Sequence, residues 1–120
     1  MPHVIIEGPC SVRSYWERFQ TEQRRDDDRI VKAINAYLSR DSSTAMVECM
    51  VAEGFLRQTF LAQLIQREHG VLIRLSPSST PERTEGVRFC LAWIAAALAR
   101  QDPSCRWGAH NLGIPIPPPC

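Results

Sequence analysis

The sequence predicts an α+β protein with a single domain, in which an antiparallel or mixed sheet of four to five strands carries two helices packed on one face. Three observations support this prediction. Two short apolar runs, residues 60–66 and 71–75, flank a turn, a stripe of apolar residues at helical spacing follows them, and three more strand-like runs precede them. The 120 residues are enough for one hydrophobic core and too few for two.

The first element is a strand over residues 3–7, a short apolar run that Gly8 and Pro9 end. Ser11 or Ser14 can then cap a short helix, because an N-cap side chain accepts a hydrogen bond from a free backbone N–H of the first turn. Four residues share one face of that helix and are expected to pack against the sheet: Val12, Tyr15, Trp16 and Phe19.

The middle of the chain holds a charged run and two further strand candidates. Residues 24–29 carry charges of both signs in balance, which indicates a solvated loop or helix end. Residues 30–38 fit helical spacing and strand alternation alike. A strand is slightly preferred there, because residues 45–51 have the pattern of a partner strand of similar length beyond a turn.

The runs 60–66 and 71–75 predict a hairpin, since each is short enough for a strand and the turn between them ends in Gly70. Glycine is expected there because a hairpin loop of this length often needs a positive φ near its end. Alternation assigns three residues of the second strand to the core face: Val71, Ile73 and Leu75.

A long helix follows the hairpin. Its start is expected at Thr80 as N-cap before Pro81, or at Ser79 paired with Glu82 as a capping box. Pro103 ends it, because proline cannot donate the backbone hydrogen bond that continues a helix. Four residues at spacings of four and three form a stripe that needs a sheet to cover it: Val87, Leu91, Ile94 and Leu98.

The folded domain is expected to span residues 1–105, and residues 106–120 to form a Pro-rich C-terminal tail without periodic pattern. The three prolines at 117–119 favour an extended polyproline conformation. Apolar residues in this tail, together with an unpaired edge on the strand over residues 3–7, predict a homo-oligomer, since closed symmetric association would cover both.

Composition argues against several classes of partner. The net charge of +1 speaks against a nucleic-acid partner, because proteins that neutralise phosphates carry a basic excess or a basic stripe. The longest apolar run, residues 91–99, is far shorter than the roughly 20 residues that cross a bilayer, so no membrane partner is expected. The N-terminus lacks a basic segment followed by an apolar one, so we expect a cytoplasmic protein.

The five cysteines are odd in number and widely spaced, without the Cys-X-X-Cys spacing of metal sites, and the three histidines add no ligand cluster. There is no phosphate-binding glycine loop. We therefore expect no metal, no cofactor and no disulfide framework. Cys90 is expected in the core and Cys120 as an exposed thiol. Cys10, beside a helix N-terminus that would lower its pKa, is a candidate nucleophile with His3 as base.

The N-terminus carries the one specific enzymatic lead. Residues 1–7, Met-Pro-His-Val-Ile-Ile-Glu, resemble the tautomerase superfamily, particularly its 5-carboxymethyl-2-hydroxymuconate isomerase-like members. The resemblance implies that Pro2, a secondary amine once Met1 is removed, acts as catalytic base in an oligomeric β-α-β fold. Burial would lower the pKa of such an amine towards neutrality. The resemblance also implies arginines that bind the carboxylates of acidic keto-enol substrates, and three are candidates by charge and expected strand-end position: Arg13, Arg40 and Arg74.

Two functions follow from these observations. One is a tautomerase or isomerase that acts on a small acidic keto-enol substrate with Pro2 as base. The alternative is a non-catalytic binding or assembly domain that engages a partner through its sheet edges and its C-terminal tail.

Overall fold

The computed structural model of the protein describes residues 1–114, apart from the side chain of Asp26. The elements occur in this order: β1 (His3–Glu7), α1 (Val12–Glu17), β2 (Glu22–Asp26), β3 (Arg29–Leu38), β4 (Thr44–Glu53), β5 (Leu56–Arg67), β6 (Gly70–Leu75), α2 (Glu85–Ala99) and β7 (Arg106–His110). The strands form one antiparallel sheet in the order β2-β3-β4-β5-β6-β1-β7. The sheet curls into half a barrel and is accompanied by the two helices.

This sheet corrects the predicted fold class, because it contains seven strands instead of four to five. Its antiparallel pairing is one of the two arrangements that the sequence left open. The predicted runs correspond to β1, β3, β4, β5 and β6, and the ambiguous residues 30–38 belong to strand β3. The two strands that were not predicted, β2 and β7, are the edges of the sheet. β2 has no apolar residue and β7 has only Trp107 and Ala109, so neither shows the alternation that identifies a half-buried strand.

The core face of the sheet follows from the register of its strands. Val4 of β1 lies opposite Ile73, Ile73 lies opposite Leu64, and Leu64 lies opposite Ala45. All four side chains are fully buried. Because residues directly opposite each other in an antiparallel pair share a face, this row forms a continuous apolar surface across four strands.

Helix α2 packs on this surface with the predicted stripe. The four stripe residues have at most 2% of their surface exposed, which confirms the sequence prediction: Val87, Leu91, Ile94 and Leu98. Cys90, on the same helix, is also fully buried, as expected. Apolar burial along one face of a helix is the main source of helix stability in a protein of this size.

The start of α2 differs from the prediction. The N-cap is Thr84, whose hydroxyl accepts a hydrogen bond from the backbone N–H of Val87, and not Thr80 or Ser79. The Thr84 hydroxyl also donates to the Glu53 carboxylate at the end of β4, and this carboxylate accepts the Gly86 N–H at 3.0 Å. The tertiary contact with Glu53 therefore selects among several capping residues that look equally suitable in the sequence.

The prediction of a positive φ at Gly70 is wrong, since the glycines with positive φ in the described part of the chain are Gly8, Gly54 and Gly113. Gly70 is required for a different reason. A Cβ atom at this position would lie 2.1 Å from the carbonyl oxygen of Ile6. Strand β1 thus approaches β6 more closely than any side chain at position 70 would allow.

The sheet continues beyond residue 105, where the sequence placed the end of the folded domain. In β7, Trp107 lies opposite Ile6, and the following Leu112 is fully buried. The guanidinium of Arg88 donates to the carbonyl oxygen of Leu112 at 3.0 Å, which ties this segment to α2. The Pro-rich end of the expected tail, residues 115–120 with Cys120, lies outside the described residues.

Strand β1 lies between β6 and β7 and is paired on both sides. The unpaired β1 edge that supported a homo-oligomer is therefore not a feature of this fold. Oligomeric state itself stays a prediction. The edge strands of the sheet are β7 and β2. Strand β2 carries charged residues along most of its length, which discourages pairing with the edge of another molecule.

Leu91→Ala is expected to lower the free energy of unfolding by about 2–5 kcal/mol, because it removes most of a fully buried side chain and leaves a cavity under α2. Chemical denaturation measures the change. Arg83→Ala, in the exposed segment before the helix, is the control and is expected to change stability by less than about 0.5 kcal/mol. If Leu91→Ala lowered the free energy of unfolding as little as the control does, the stripe would not be what holds the helix on the sheet.

The turn between β3 and β4 is organised by Asp41. Its carboxylate accepts hydrogen bonds from the Ser43 N–H at 3.0 Å, the Ser43 hydroxyl at 2.7 Å and the Ser39 hydroxyl at 2.8 Å. These bonds, those from Ser43 first, lower the pKa of Asp41 from 3.8 to about 2. The ionised form therefore stabilises the turn at pH values above 3.8, and this stabilisation is lost as the pH falls through about 2.

Asp41→Asn is accordingly expected to lower the thermal midpoint at pH 6, with a difference from wild type that shrinks as the pH falls towards about 2. Thermal unfolding followed by circular dichroism across this pH range measures the difference. Asp28→Asn, at an exposed position in the turn between β2 and β3, is the matched control. A deficit of the Asp41→Asn protein that is equal at all pH values would show that the carboxylate charge is not what stabilises the turn.

Candidate functional site

A cavity of about 260 Å³ lies between α1, the C-terminal half of α2 and strand β3. One part of its lining is apolar or aromatic: Tyr15, Phe19, Ala33, Trp93, Ile94 and Ala97. The other part is polar or charged: Arg18, Gln20, Glu22, Arg100 and Gln101. A concave surface with an aromatic part and a few polar groups is the usual composition of a small-molecule site.

Two glutamine side chains hold the wall of the cavity that α1 forms. The Gln101 amide accepts from the Ser11 N–H at 2.8 Å and donates to the Ser11 carbonyl at 3.1 Å. The Gln66 amide accepts from the Val12 N–H at 2.9 Å and donates to the Cys10 carbonyl at 3.3 Å. Together with the Ser11 N-cap, these bonds satisfy free backbone groups at the start of the short helix and fix its position against α2 and β5.

The aromatic part of the lining comes from both helices and the segment after α1. The rings of Tyr15 and Phe19 pack together with centroids 6.1 Å apart and an angle of 55° between their planes. Trp93 projects from α2 and has only 9% of its surface exposed. Burial raises the pKa of Tyr15 far above its usual range, and the nearby Cys49 adds to this effect. Tyr15 thus contributes its ring to the lining, beside that of Phe19.

The two arginines of the lining occupy equivalent places, because Arg18 is the C-cap of α1 and Arg100 is the C-cap of α2. Both side chains are exposed. Neither guanidinium makes a hydrogen bond or ion pair to another side chain among residues 1–114. The rim of the cavity thus carries two positive charges and the single carboxylate of Glu22.

Of the residues proposed from the sequence, Pro2 is buried at the start of β1. Arg74 is close to it in the sheet, since it lies directly opposite His3 in β6. Alternation places the side chains of Pro2 and Arg74 on opposite faces of the sheet. The Arg74 guanidinium donates to the Gln63 side chain at 2.8 Å.

The other two predicted arginines lie neither on β1 nor on the strand beside Pro2. Arg13 is on α1, where it forms an ion pair of 2.8 Å with Glu17. Arg40 is exposed in the turn between β3 and β4. The structure therefore brings only Arg74 near Pro2, and the cavity is lined by none of these four residues.

Arg18, Arg100 and Trp93 were not singled out in the sequence as site residues. Trp93 lies within an apolar run whose pattern indicates only a helix, and an arginine near a helix end is typical of favourable interaction with the last carbonyl groups. A signal for the site would have required knowing that α1 lies against the C-terminal end of α2. The structure shows this arrangement, since the Gln101 side chain just after α2 binds the backbone of Ser11, the N-cap of α1.

Cys10 does not have the environment expected of a nucleophile. Burial, followed by the neighbouring Cys105, raises its pKa from 9.0 to about 11. His3, the proposed base, lies at the opposite end of β1 from Cys10. The expected activation of this thiol is therefore absent.

Comparison of the chain with protein-family models, with curated proteins and with solved structures gives no match. No helix formed by the described residues is long and apolar enough to cross a membrane. Within residues 1–114, no three side chains of the types His, Cys, Asp and Glu lie close enough together to hold a metal ion. The functional proposal therefore rests on the cavity between α1, α2 and β3.

Proposed function

We propose that the protein is a binding domain for a small molecule that combines an aromatic or apolar ring with an acidic group. The ligand occupies the cavity between α1, α2 and β3. The observation that carries this proposal is the convergence of three aromatic side chains and two arginines on one cavity: Tyr15, Phe19, Trp93, Arg18 and Arg100.

The aromatic part of the lining favours a planar apolar group, since stacked or edge-to-face contacts between rings add to the gain from burying their surface. The size of the cavity limits the ligand. Pockets for drug-sized molecules usually measure about 300–1,000 Å³. A cavity of about 260 Å³ therefore suits a compact molecule built around one ring.

The charged part of the lining favours an acidic group. Arginine presents a planar fork of donors that matches a carboxylate, and Arg18 and Arg100 are not paired with another side chain in the described part of the chain. Glu22 on the same rim disfavours a second negative charge beside it. The charge pattern thus favours a monoanion over a dianion.

This proposal keeps the small acidic ligand expected from the sequence and assigns it to different arginines. It also modifies the alternative of a binding domain, because the binding surface is the open cavity between the helices instead of a sheet edge or tail. Binding alone is proposed, since the cavity lining has no pair of groups placed as nucleophile and base.

Trp93 can report on the cavity directly, because it is one of only three tryptophans. In a Trp16→Phe, Trp107→Phe background, small aromatic carboxylates are expected to change the Trp93 fluorescence in a saturable way. Amides of the same acids are expected to bind about tenfold or more weakly, because they lack the charge that strengthens hydrogen bonds to arginine. Equal binding of acids and amides would contradict the assignment of the two arginines to an acidic group. If none of the carboxylates or amides changed the Trp93 fluorescence in a saturable way, the proposal of a binding cavity would be contradicted.

Variants of the cavity lining test whether Arg18 and Arg100 bind the carboxylate. Arg18→Gln and Arg100→Gln are each expected to weaken carboxylate binding about tenfold, while Arg57→Gln, an exposed arginine on β5 away from the cavity, has no effect. Ala97→Phe is expected to abolish binding by filling the cavity. Isothermal titration with a carboxylate identified by fluorescence measures these affinities. A loss as large in Arg57→Gln as in Arg100→Gln would indicate nonspecific attraction of anions.

The N-terminal proline base is a second proposal, supported by the burial of Pro2. If Met1 is removed, burial disfavours the charged form of the resulting amine and lowers its pKa, as a base at neutral pH requires. The mass of the purified protein shows whether Met1 is retained, and retention rejects this mechanism because an amide nitrogen is not a base.

With Met1 removed, tautomerisation of a phenylpyruvate-like acid is expected to collapse in Pro2→Ala, which keeps an amine but changes its basicity and constraint. Arg57→Gln serves as a control that leaves the rate unchanged. Equal rates for the wild type and Pro2→Ala would remove Pro2 from the mechanism without affecting the cavity proposal, since Pro2 does not line the cavity.

We also propose a cytoplasmic location. The support is the free thiol state of the four cysteines among residues 1–114, which is typical of proteins in a reducing compartment.

A further inference from the structure

The turn between β4 and β5 carries the most exposed large apolar side chain in the described part of the chain. Phe55 is fully exposed, whereas the other large apolar side chains with high exposure are at most 51% exposed: Met1, Trp16 and Tyr37. A Cβ atom added to the neighbouring Gly54 would meet no other atom within 4 Å, so the turn projects freely from the sheet. The ring of Phe55 is therefore open to a partner, and covering it would be favourable.

This turn is held rigidly at its base. Strands β4 and β5 pair along the whole of β4, and Glu53 lies opposite Leu56 at the end of the ladder. Glu53 is itself fixed, because its carboxylate binds the Thr84 hydroxyl and the Gly86 N–H at the start of α2. A side chain on a rigid support loses little freedom on binding, so more of its contact energy appears as affinity.

Two carboxylates accompany Phe55 at this end of the sheet. The register of β3 and β4 places the turn between β2 and β3, which contains Asp27 and Asp28, at the same end as the Phe55 turn. The two turns are about 10 Å apart, at two strand spacings of about 4.8 Å each. Both aspartates are exposed, and neither forms an ion pair within the described part of the chain. The exposed cations Arg25 and Arg57 lie two positions further back along their strands, so the ring and the carboxylates are foremost.

The cavity between α1, α2 and β3 has the complementary properties. Its volume suits one ring, and its lining includes Arg18 and Arg100. It lies away from Phe55, because the start of α2 is bound to Glu53 whereas the cavity adjoins the end of this helix, about 22 Å further on at 1.5 Å per residue. Phe55 therefore cannot enter the cavity of its own chain.

We propose that the cavity takes the Phe55 turn of a second copy of this chain, with the ring against the aromatic lining and the carboxylate of Asp27 or Asp28 near the arginines. This inference rests on the proposed function, because it extends the preference of the same cavity for a ring with an acidic group to a protein partner. The contact is heterologous, since each copy offers one turn and one cavity. Association therefore continues from copy to copy unless the arrangement closes into a ring. A small aromatic carboxylate competes for the cavity and reverses the association.

Sedimentation velocity at a series of concentrations measures the association. The full-length protein is kept under reducing conditions, so that no disulfide joins two copies. The average mass of the wild type is expected to rise with concentration, and Phe55→Ser is expected to associate at least about tenfold more weakly, as is usual for removal of a central aromatic anchor. Tyr37→Ser is the matched control, since Tyr37 is also an exposed ring but lies opposite Met46 on the face of the sheet away from the helices. It is expected to associate as the wild type does.

Mixing two variants tests the pairing of turn and cavity directly. Phe55→Ser keeps the cavity and lacks the ring, whereas Ala97→Phe keeps the ring and fills the cavity. Each variant alone is expected to be monomeric, and an equimolar mixture is expected to form a heterodimer that grows no further. Arg100→Glu, at an exposed position of the lining, is the second cavity variant and is used if circular dichroism shows that Ala97→Phe folds poorly.

Three results would overturn the inference: a wild type that stays monomeric at all concentrations, association of Phe55→Ser equal to that of the wild type, or a mixture of the two variants that stays monomeric. Binding of an aromatic carboxylate to Phe55→Ser separates this inference from the function on which it rests. The variant is expected to bind the carboxylate as the wild type does, because Phe55 does not line its own cavity. Carboxylate binding without association rejects the second copy alone, and association without carboxylate binding rejects the small-molecule function.

Discussion

The packing of α2 on the concave face of the curled sheet is the constraint on which the rest of the structure depends. The helix covers the buried row that crosses β1, β6, β5 and β4, and its stripe residues are almost completely removed from water. Its N-terminus is held by Glu53, whose carboxylate binds the Thr84 hydroxyl and the Gly86 N–H. A negative group at this end and Arg100 at the other both complement the dipole of the helix.

The cavity is a consequence of how the second helix shares the same face. Helix α1 has six residues and extends about 9 Å, whereas α2 has fifteen and extends about 22 Å, so α1 covers much less of the sheet. The two helices meet where Gln101 binds Ser11, and the space that remains beyond the end of α1 is the cavity. Both C-caps, Arg18 and Arg100, belong to its lining. The same residues therefore serve the helix ends and supply the positive charge of the candidate site.

The connection between β1 and its neighbours explains several features that look unrelated in the sequence. Gly70 permits the close approach of β1 to β6, and Gly8 permits the close approach of Cys105 to the end of β1. The insertion of β1 between β6 and β7 also leaves Leu112, just after β7, buried and tied to α2 through Arg88. These two glycine positions thus mark places where two segments of the backbone approach each other closely.

The sequence by itself determined the elements whose signals are local. Short apolar runs indicated five strands, one of them only by a slight preference over a helix, and helical spacing identified the stripe of α2. Ser11 was one of two caps that the sequence offered for α1. These features depend on residues within a few positions of one another, so a linear pattern contains them. The two edge strands were missed because an edge strand that pairs on one side and is largely exposed needs no apolar alternation.

The tertiary structure alone decided the start of α2, the role of Gly70 and the composition of the candidate site. Each depends on a part of the molecule that is distant in the chain. Glu53 selects the start of α2, the carbonyl oxygen of Ile6 requires glycine at position 70, and α1 forms the cavity wall that shares a lining with Arg100. The curvature of the sheet and the register of β1 set these distances, and both arise from the packing of all strands together. A pattern read along the chain contains the residues of the site but not the geometry that brings them together.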